Sequence, residues 1–216
     1  ITSIAIGGFD GMHSAHQELF KNLDKKGAIL SIESGYANLT PKRYRQEYSI
    51  YPIYYYVLEN IKHLEGDEFI RLLKEEFPNL KKIVVGFDFC FGKNRKYCIE
   101  KLKELFIGEV LVIDEIKIDD IPVHSRIIRE YLKDGNIKIA NKLLGKEYKI
   151  YGHQIKGQGL GTKSFVPTIN LKIEEFLLPQ EGVYVTKTIL DDKEFNSITF
   201  LGHRVTTDGS YAVETH

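Results

Sequence analysis

The chain has 216 residues, 43% of them hydrophobic, enough to bury one large core or two modest ones. Its 30 basic and 30 acidic residues cancel without any long block of one sign, which argues against a nucleic-acid partner held through its phosphates. No apolar run reaches membrane-spanning length and no leader is expected before Ile1, so the expectation is a soluble, cytoplasmic protein acting on small molecules, with at most weak self-association.

The opening Ile1–Ile6 reads as a buried strand. It runs into Gly7-Gly8-Phe9-Asp10-Gly11-Met12-His13-Ser14-Ala15-His16-Gln17, and a helical pattern follows over Gln17–Lys25. A strand, a glycine turn and a helix start suit an anion: glycines let the backbone approach, and the helix N-terminus offers N–H groups and a positive dipole end. His13 and His16 are spaced for one helical turn, so both rings can face one phosphate group. Further strands are expected at Ala28–Ile32, Ile53–Val57, Lys82–Val85 and Val110–Ile113. Helices are expected at Asp67–Phe77, Ile99–Phe106, Ser125–Asp134 and Ile137–Leu143. This alternation predicts a parallel sheet covered on both faces.

Two later stretches follow strands in the same way. Gly86-Phe87-Asp88-Phe89-Cys90-Phe91-Gly92-Lys93-Asn94-Arg95 carries aromatic faces for a flat ring and bases for a phosphate, although phenylalanines at a strand end also fit a plain core. His124-Ser125-Arg126-Ile127-Ile128-Arg129 places Ser125 to cap a helix, with Arg126 and Arg129 near its N-terminus. Cys90 and Cys98 have neither CxxC nor zinc spacing and read as free thiols. Helical periodicity largely stops after Gly145. Tyr148–Ile155, Gly182–Leu190 and Ser197–Leu201 then predict an antiparallel barrel or sandwich, with turns at Gly157–Gly161 and Asp191-Asp192.

These motifs together resemble the bacterial bifunctional riboflavin kinase/FMN adenylyltransferase (FAD synthetase) family. Gly8–His16 resembles its G-x-F-D-G-x-H-x-G-H, Gly86–Arg95 its G-x-D-F-x-F-G-x-x-R, and Val123–Arg129 its S-S-x-x-I-R helix start. In the second half Gly157, Gly161, Pro167-Thr168-Ile169-Asn170, Gly182-Val183-Tyr184 and Val213-Glu214-Thr215-His216 are similar to the kinase module. The resemblance implies a Rossmann-like α/β nucleotidyltransferase domain at 1–144 and an antiparallel β-barrel riboflavin kinase domain at 145–216, incomplete at its C-terminus.

It further implies Mg²⁺, with ATP, riboflavin and FMN/FAD as substrates or products. His13, His16 and Arg129 would be catalytic in adenylyl transfer and Glu214 the kinase base. Gly7, Gly8, Phe9, Asp10, Gly11, Ser125, Arg126, Gly157 and Gly161 would bind nucleotide. Asp88, Phe89, Phe91, Gly92 and Arg95 would bind flavin. Thr168 and Asn170, two apart on an extended segment, would offer hard oxygens to the metal. Ala15, His124, Arg126, Thr162 and Phe165 depart from the family pattern. The family's kinase module extends past the position of His216, so FAD formation with little FMN formation is expected. A nucleotidyltransferase with another phosphate acceptor and a non-catalytic flavin-binding or regulatory protein are the rival readings.

Overall fold

The computed structural model describes residues 1–155, 168–203 and 211–216. Two compact units emerge, one formed by Ile1–Ile127 with Lys142–Lys146, the other by Ile128–Asn141 with Glu147–His216.

The first unit follows the alternation expected. Strand β1 (Ser3–Gly7) leads to α1 (Ser14–Lys21), β2 (Gly27–Glu33), a 3₁₀ helix (Lys42–Tyr48) and β3 (Ile53–Val57). The short α2 (Leu58–Ile61) and α3 (Gly66–Glu76) then lead to β4 (Lys82–Gly86), a 3₁₀ turn (Lys93–Arg95), α4 (Ile99–Leu105) and β5 (Glu109–Ile113). A small hairpin of β6 (Lys117–Ile118) and β7 (Ile121–Pro122) precedes α5 (Ser125–Lys133) and α6 (Ile137–Leu144), most of whose residues belong to the second unit. The sheet order is β3-β2-β1-β4-β5, with every pairing parallel.

Alternate residues of the central strands feed opposite cores, which is why these strands read as unbroken apolar runs. Ile4, Ile6, Ala28, Leu30, Ile83 and Val85 pack with Phe69, Leu73 and Leu102. Ala5, Ile29 and Val84 pack on the other face with Phe9, Met12, Leu19 and Phe20. Helix α3 starts at a reciprocal cap, with Glu65 and Glu68 each taking a backbone N–H of the other's turn.

One helix start differs from expectation. Helix α1 begins at Ser14, not Gln17, and His13 is its cap residue in extended conformation, accepting from the His16 N–H. Helix α5 begins at Ser125, as expected, and the Ser125 hydroxyl donates to the Asp10 carbonyl at 2.7 Å.

In the second unit β8 (His153–Ile155), β9 (Ile169–Lys172), β10 (Gly182–Leu190), β11 (Lys193–His203) and β12 (Tyr211–Thr215) form one antiparallel sheet, ordered β10-β11-β12-β9-β8. Among the described residues this sheet is open and not a closed barrel. The expected strand Tyr148–Ile155 shrinks to its last three residues; Tyr148 is tied by its N–H to Asn141 of α6 and by its hydroxyl to the Leu177 carbonyl. Strand β11 is longer than Ser197–Leu201, running as a full partner of β10 through the two-residue turn at Asp191-Asp192. Both turn residues have positive φ, 48° and 60°, the conformation of a type I′ hairpin. One face of this sheet carries a hydroxyl network joining Thr186, Thr188, Ser197, Thr199 and Thr215 at 2.7–3.1 Å. On the other face Val183, Val185 and Ile198 are exposed.

Candidate functional site

The strand order of the first unit reverses between β1 and β4, and in open α/β sheets ligands bind outside the carboxyl ends of strands at such a switch point. The glycine turn leaves β1 there, and the phenylalanine loop leaves β4 beside it.

The turn has an unusual backbone. Phe9, Gly11 and Met12 all have positive φ, at 48°, 86° and 45°. Only glycine adopts this region cheaply, so the two other residues cost roughly 1–3 kcal/mol each and need outside support. A Cβ at Gly11 would also meet Leu39 at 3.1 Å. The support comes from distant segments. Arg45 donates to the Gly8 carbonyl at 3.2 Å, Ser125 to the Asp10 carbonyl, and Lys146 to the Gly11 and Met12 carbonyls at 2.7 and 3.0 Å. Gln17 also reaches the Met12 carbonyl, at 3.1 Å.

Asp10 is turned inward. Its carboxylate accepts the N–H groups of Asn38, Leu39 and Thr40 at 2.9–3.3 Å and is 7% exposed. Phe9 is likewise a core side chain, edge-on to His16 and Phe20. Both were expected to bind nucleotide; their side chains are committed to the fold, and only their backbone is left for a ligand. Arg45, which no motif in the sequence marks, is fully buried and pairs with Glu33 while its Nε holds the Thr40 carbonyl.

The two histidines do come together. Their rings stack with centroids 3.5 Å apart and planes 20° from parallel. His13 Nδ1 accepts the His16 N–H, so the neutral ring carries its proton on Nε2. His16 Nδ1 is buried without a hydrogen-bond partner among the described residues. Burial, then the neighbouring His13, Lys146, Arg45 and His124, hold the His16 pKa well below its ordinary value. Burial also lowers Lys146 to about 8, and its ammonium sits 4.2 Å from the Tyr48 ring centroid.

In the second loop Phe91 is core, 4% exposed and packed on Phe69, Phe89 and Tyr97. This corrects the expectation that its ring meets flavin. The exposed ring is Phe87, 6.3 Å from the His124 ring, while Phe89 is half-buried. Asp88 and Arg95 are exposed, and Gly92 has a φ of 69° with the Tyr97 ring where a Cβ would stand. The expectation of free thiols is also overturned: Cys90 and Cys98 form a disulfide. Phe91 and Tyr97 pair as a small antiparallel bridge, which folds the loop back and sets the next residues outward against each other. Arg126 is exposed on α5 beside Ser125, and Arg129 lies one turn on, within the second unit.

In the second unit Asn170 is directly opposite Glu214, so the two share one sheet face. Asn170 is buried, Glu214 is half-buried, and Thr168 is exposed just before β9. Gly157 and Gly161, expected to cover phosphate, lie outside the described residues, as do Thr162 and Phe165.

A parallel sheet whose switch point carries a glycine turn and paired imidazoles defines a nucleotide-handling α/β unit, joined here to an antiparallel β unit. The riboflavin kinase family model matches residues 144–216. A bifunctional riboflavin kinase/FMN adenylyltransferase of Buchnera aphidicola subsp. Schizaphis graminum is 31% identical over 93% of this chain and 73% of its own length. The enzyme of the same name from Escherichia coli K12 is 25% identical over 95% of this chain and 74% of its own. A crystal structure of a protein from Streptococcus pneumoniae, named a macrolide-efflux protein, matches all of this chain and 79% of its own, with a TM-score of 0.84 and 28% identity. No helix among the described residues here is long and apolar enough to cross a membrane. The chain belongs to the bifunctional riboflavin kinase/FMN adenylyltransferase family.

Proposed function

We propose that this protein phosphorylates riboflavin to FMN and adenylylates FMN to FAD, with 1–144 as the adenylyltransferase domain, to which Lys146 is tied through the glycine turn, and the remainder of 145–216 as riboflavin kinase. Its partners are then small molecules, and its place is the cytoplasm, where ATP is made available. The observation that carries the first activity is the stacked pair His13/His16 beside the glycine turn at the sheet's switch point.

In adenylyl transfer a phosphate oxygen of FMN attacks the α-phosphorus of ATP. The bond to the bridging oxygen breaks and pyrophosphate leaves. No covalent enzyme intermediate is required, so the chain's task is alignment and charge stabilisation. The turn supplies backbone N–H groups, and His13 offers its Nε2 proton. His16 is neutral at pH 7 and acts as a hydrogen-bond donor at rest, gaining basicity when an anionic phosphate stands beside it. Its Nδ1, without a hydrogen-bond partner among the described residues, supports a polar ligand there. Arg126 at the start of α5 serves as a further phosphate-binding group, and the flavin ring lies against Phe87 and Phe89 with Asp88, Gly92 and Arg95 at its margin.

For the kinase, the riboflavin 5′-hydroxyl attacks the γ-phosphorus of ATP, ADP leaves, and Glu214 takes the hydroxyl proton. Thr168 and Asn170 fit Mg²⁺ chemically: both carry hard neutral oxygens, and Asn170 stands opposite Glu214 in the strand register. Bound there, Mg²⁺ would neutralise phosphate charge. Chromatography of incubations with FMN plus MgATP, and separately with riboflavin plus MgATP, tests both halves. FAD from the first and FMN from the second are expected; the riboflavin kinase family match over 144–216 supports FMN formation in place of the little expected from the sequence. Absence of FAD removes the first reading, and absence of FMN the second.

A further inference from the structure

We propose that Lys146 and Arg45 are positioning residues of the nucleotide turn, holding its carbonyl oxygens from two sides so that the opposite N–H groups stay aimed at the anion. The inference rests on the adenylyltransferase reading. Peptide planarity supplies the mechanism: fixing a C=O fixes the N–H of the next residue in the opposite direction. Arg45 on the Gly8 carbonyl therefore sets the Phe9 N–H, and Lys146 on the Met12 carbonyl sets the His13 N–H. By also holding the Gly11 carbonyl, Lys146 sets the Met12 N–H, which closes the turn on the Phe9 carbonyl at 3.3 Å. Successive N–H groups in a turn of alternating handedness form an anion-binding concavity.

Neither residue is redundant with ordinary packing. Phe9 and Met12 sit in the left-handed region without being glycine, so the turn relaxes once its anchors go. Arg45 is a hub, linking Gly8 to the end of β2 through Ser31 and Glu33 and to residue 40 through the Thr40 carbonyl. Lys146 approaches the turn's later carbonyls, stacked on Tyr48. Both groups direct donors at backbone carbonyls, as expected of groups that shape a cradle rather than fill it.

The test uses the full chain with Lys146→Met, Lys146→Arg and Arg45→Lys. Three quantities are read: kcat and KM for ATP in FAD formation, binding of inorganic pyrophosphate with the amide resonances of Phe9, Gly11 and His13 as reporters, and the thermal midpoint. Lys146→Met should lower kcat by about 10²-fold, the scale of a small misplacement of reacting groups. It should also abolish the pyrophosphate-induced amide shifts while FMN formation from riboflavin is kept. Lys146→Arg should recover kcat to within about threefold, since it keeps both charge and donors. Arg45→Lys, which keeps the charge beside Glu33 but loses the fork, should lower kcat by roughly tenfold and serves if Lys146→Met does not fold.

A purely structural role would lower the thermal midpoint and leave kcat per folded molecule and the amide shifts unchanged; that result overturns the proposal. Failure of the underlying reading looks different. A parent protein that makes no FAD, yet whose turn amides respond to pyrophosphate through Lys146, removes the adenylyltransferase and leaves the positioning role standing. A parent whose turn amides ignore pyrophosphate removes the positioning role.

Discussion

The glycine turn and the Asn170–Glu214 face are assembled by opposite means. The turn is cross-linked by side chains from residues 17, 45, 125 and 146 and by the backbone of residues 38–40 reaching Asp10. Asn170 and Glu214 stand opposite each other because two strands share a register. A cross-linked turn can hold strained backbone, but it inherits every weakness of the segments that tie it. A register-built pair is robust, because slipping one residue would turn its whole strand to the other face.

The largest expected effect separates the two sites. His16→Ala should reduce FAD formation by on the order of 10²–10³-fold, the usual cost of losing one transition-state donor, while FMN formation from riboflavin stays within twofold. Parallel rate assays check it. A matching loss of both activities would break the comparison.

Next comes stability. Asp10→Ala leaves three backbone N–H groups without their buried carboxylate, each normally worth about 1.5–3 kcal/mol. Allowing for water entering the gap, a destabilisation of roughly 3 kcal/mol is expected in denaturant melts. Asn170→Ala should cost less stability but remove FMN formation. An Asp10→Ala protein as stable as its parent would show that residues 38–40 do not depend on the turn.

These contrasts also explain what was legible in the sequence. The parallel sheet was readable because Ile4–Ile6, Ala28–Leu30 and Ile83–Val85 each bury both faces and leave continuous apolar runs. The spacing of His13 and His16 was enough to read that their rings come together beside the glycine turn. Arg45 was hidden within Lys42-Arg43-Tyr44-Arg45-Gln46-Glu47, a run that reads as solvated surface; nothing local says that one of its charges is buried against Glu33. Asp10 looked like a ligand because its partners lie nearly thirty residues away. Phe91 and the Cys90–Cys98 bridge were misjudged for one reason: the Phe91–Tyr97 bridge folds that loop back, and such pairing leaves no periodic trace.

A smaller effect concerns pH. Lys146 is lowered by burial to about 8 from an ordinary 10.5. The unfolded chain therefore binds more protons than the folded one between those values, so this group makes stability rise with pH across that window. FAD formation should move the other way, falling as pH passes through about 8 and the charge holding the Gly11 and Met12 carbonyls is lost. His16, which faces Lys146, has titrated well below this range, and Tyr48 is the ring packed on the ammonium. Rate profiles across that window, beside melts at the same pH values, check both signs. Lys146→Arg should move the falling limb upward.

The hairpin tip has a consequence for engineering. Asp191 and Asp192 both occupy left-handed backbone that asparagine and glycine enter more easily, and they set two like charges side by side. Neither residue belongs to a candidate site, so the tip is a place where the protein carries avoidable strain. Combining Asp191→Asn with Asp192→Gly should raise the unfolding free energy by about 0.5–1 kcal/mol. Both activities should be unaltered, giving a sturdier parent in which the costlier substitutions at the glycine turn become measurable.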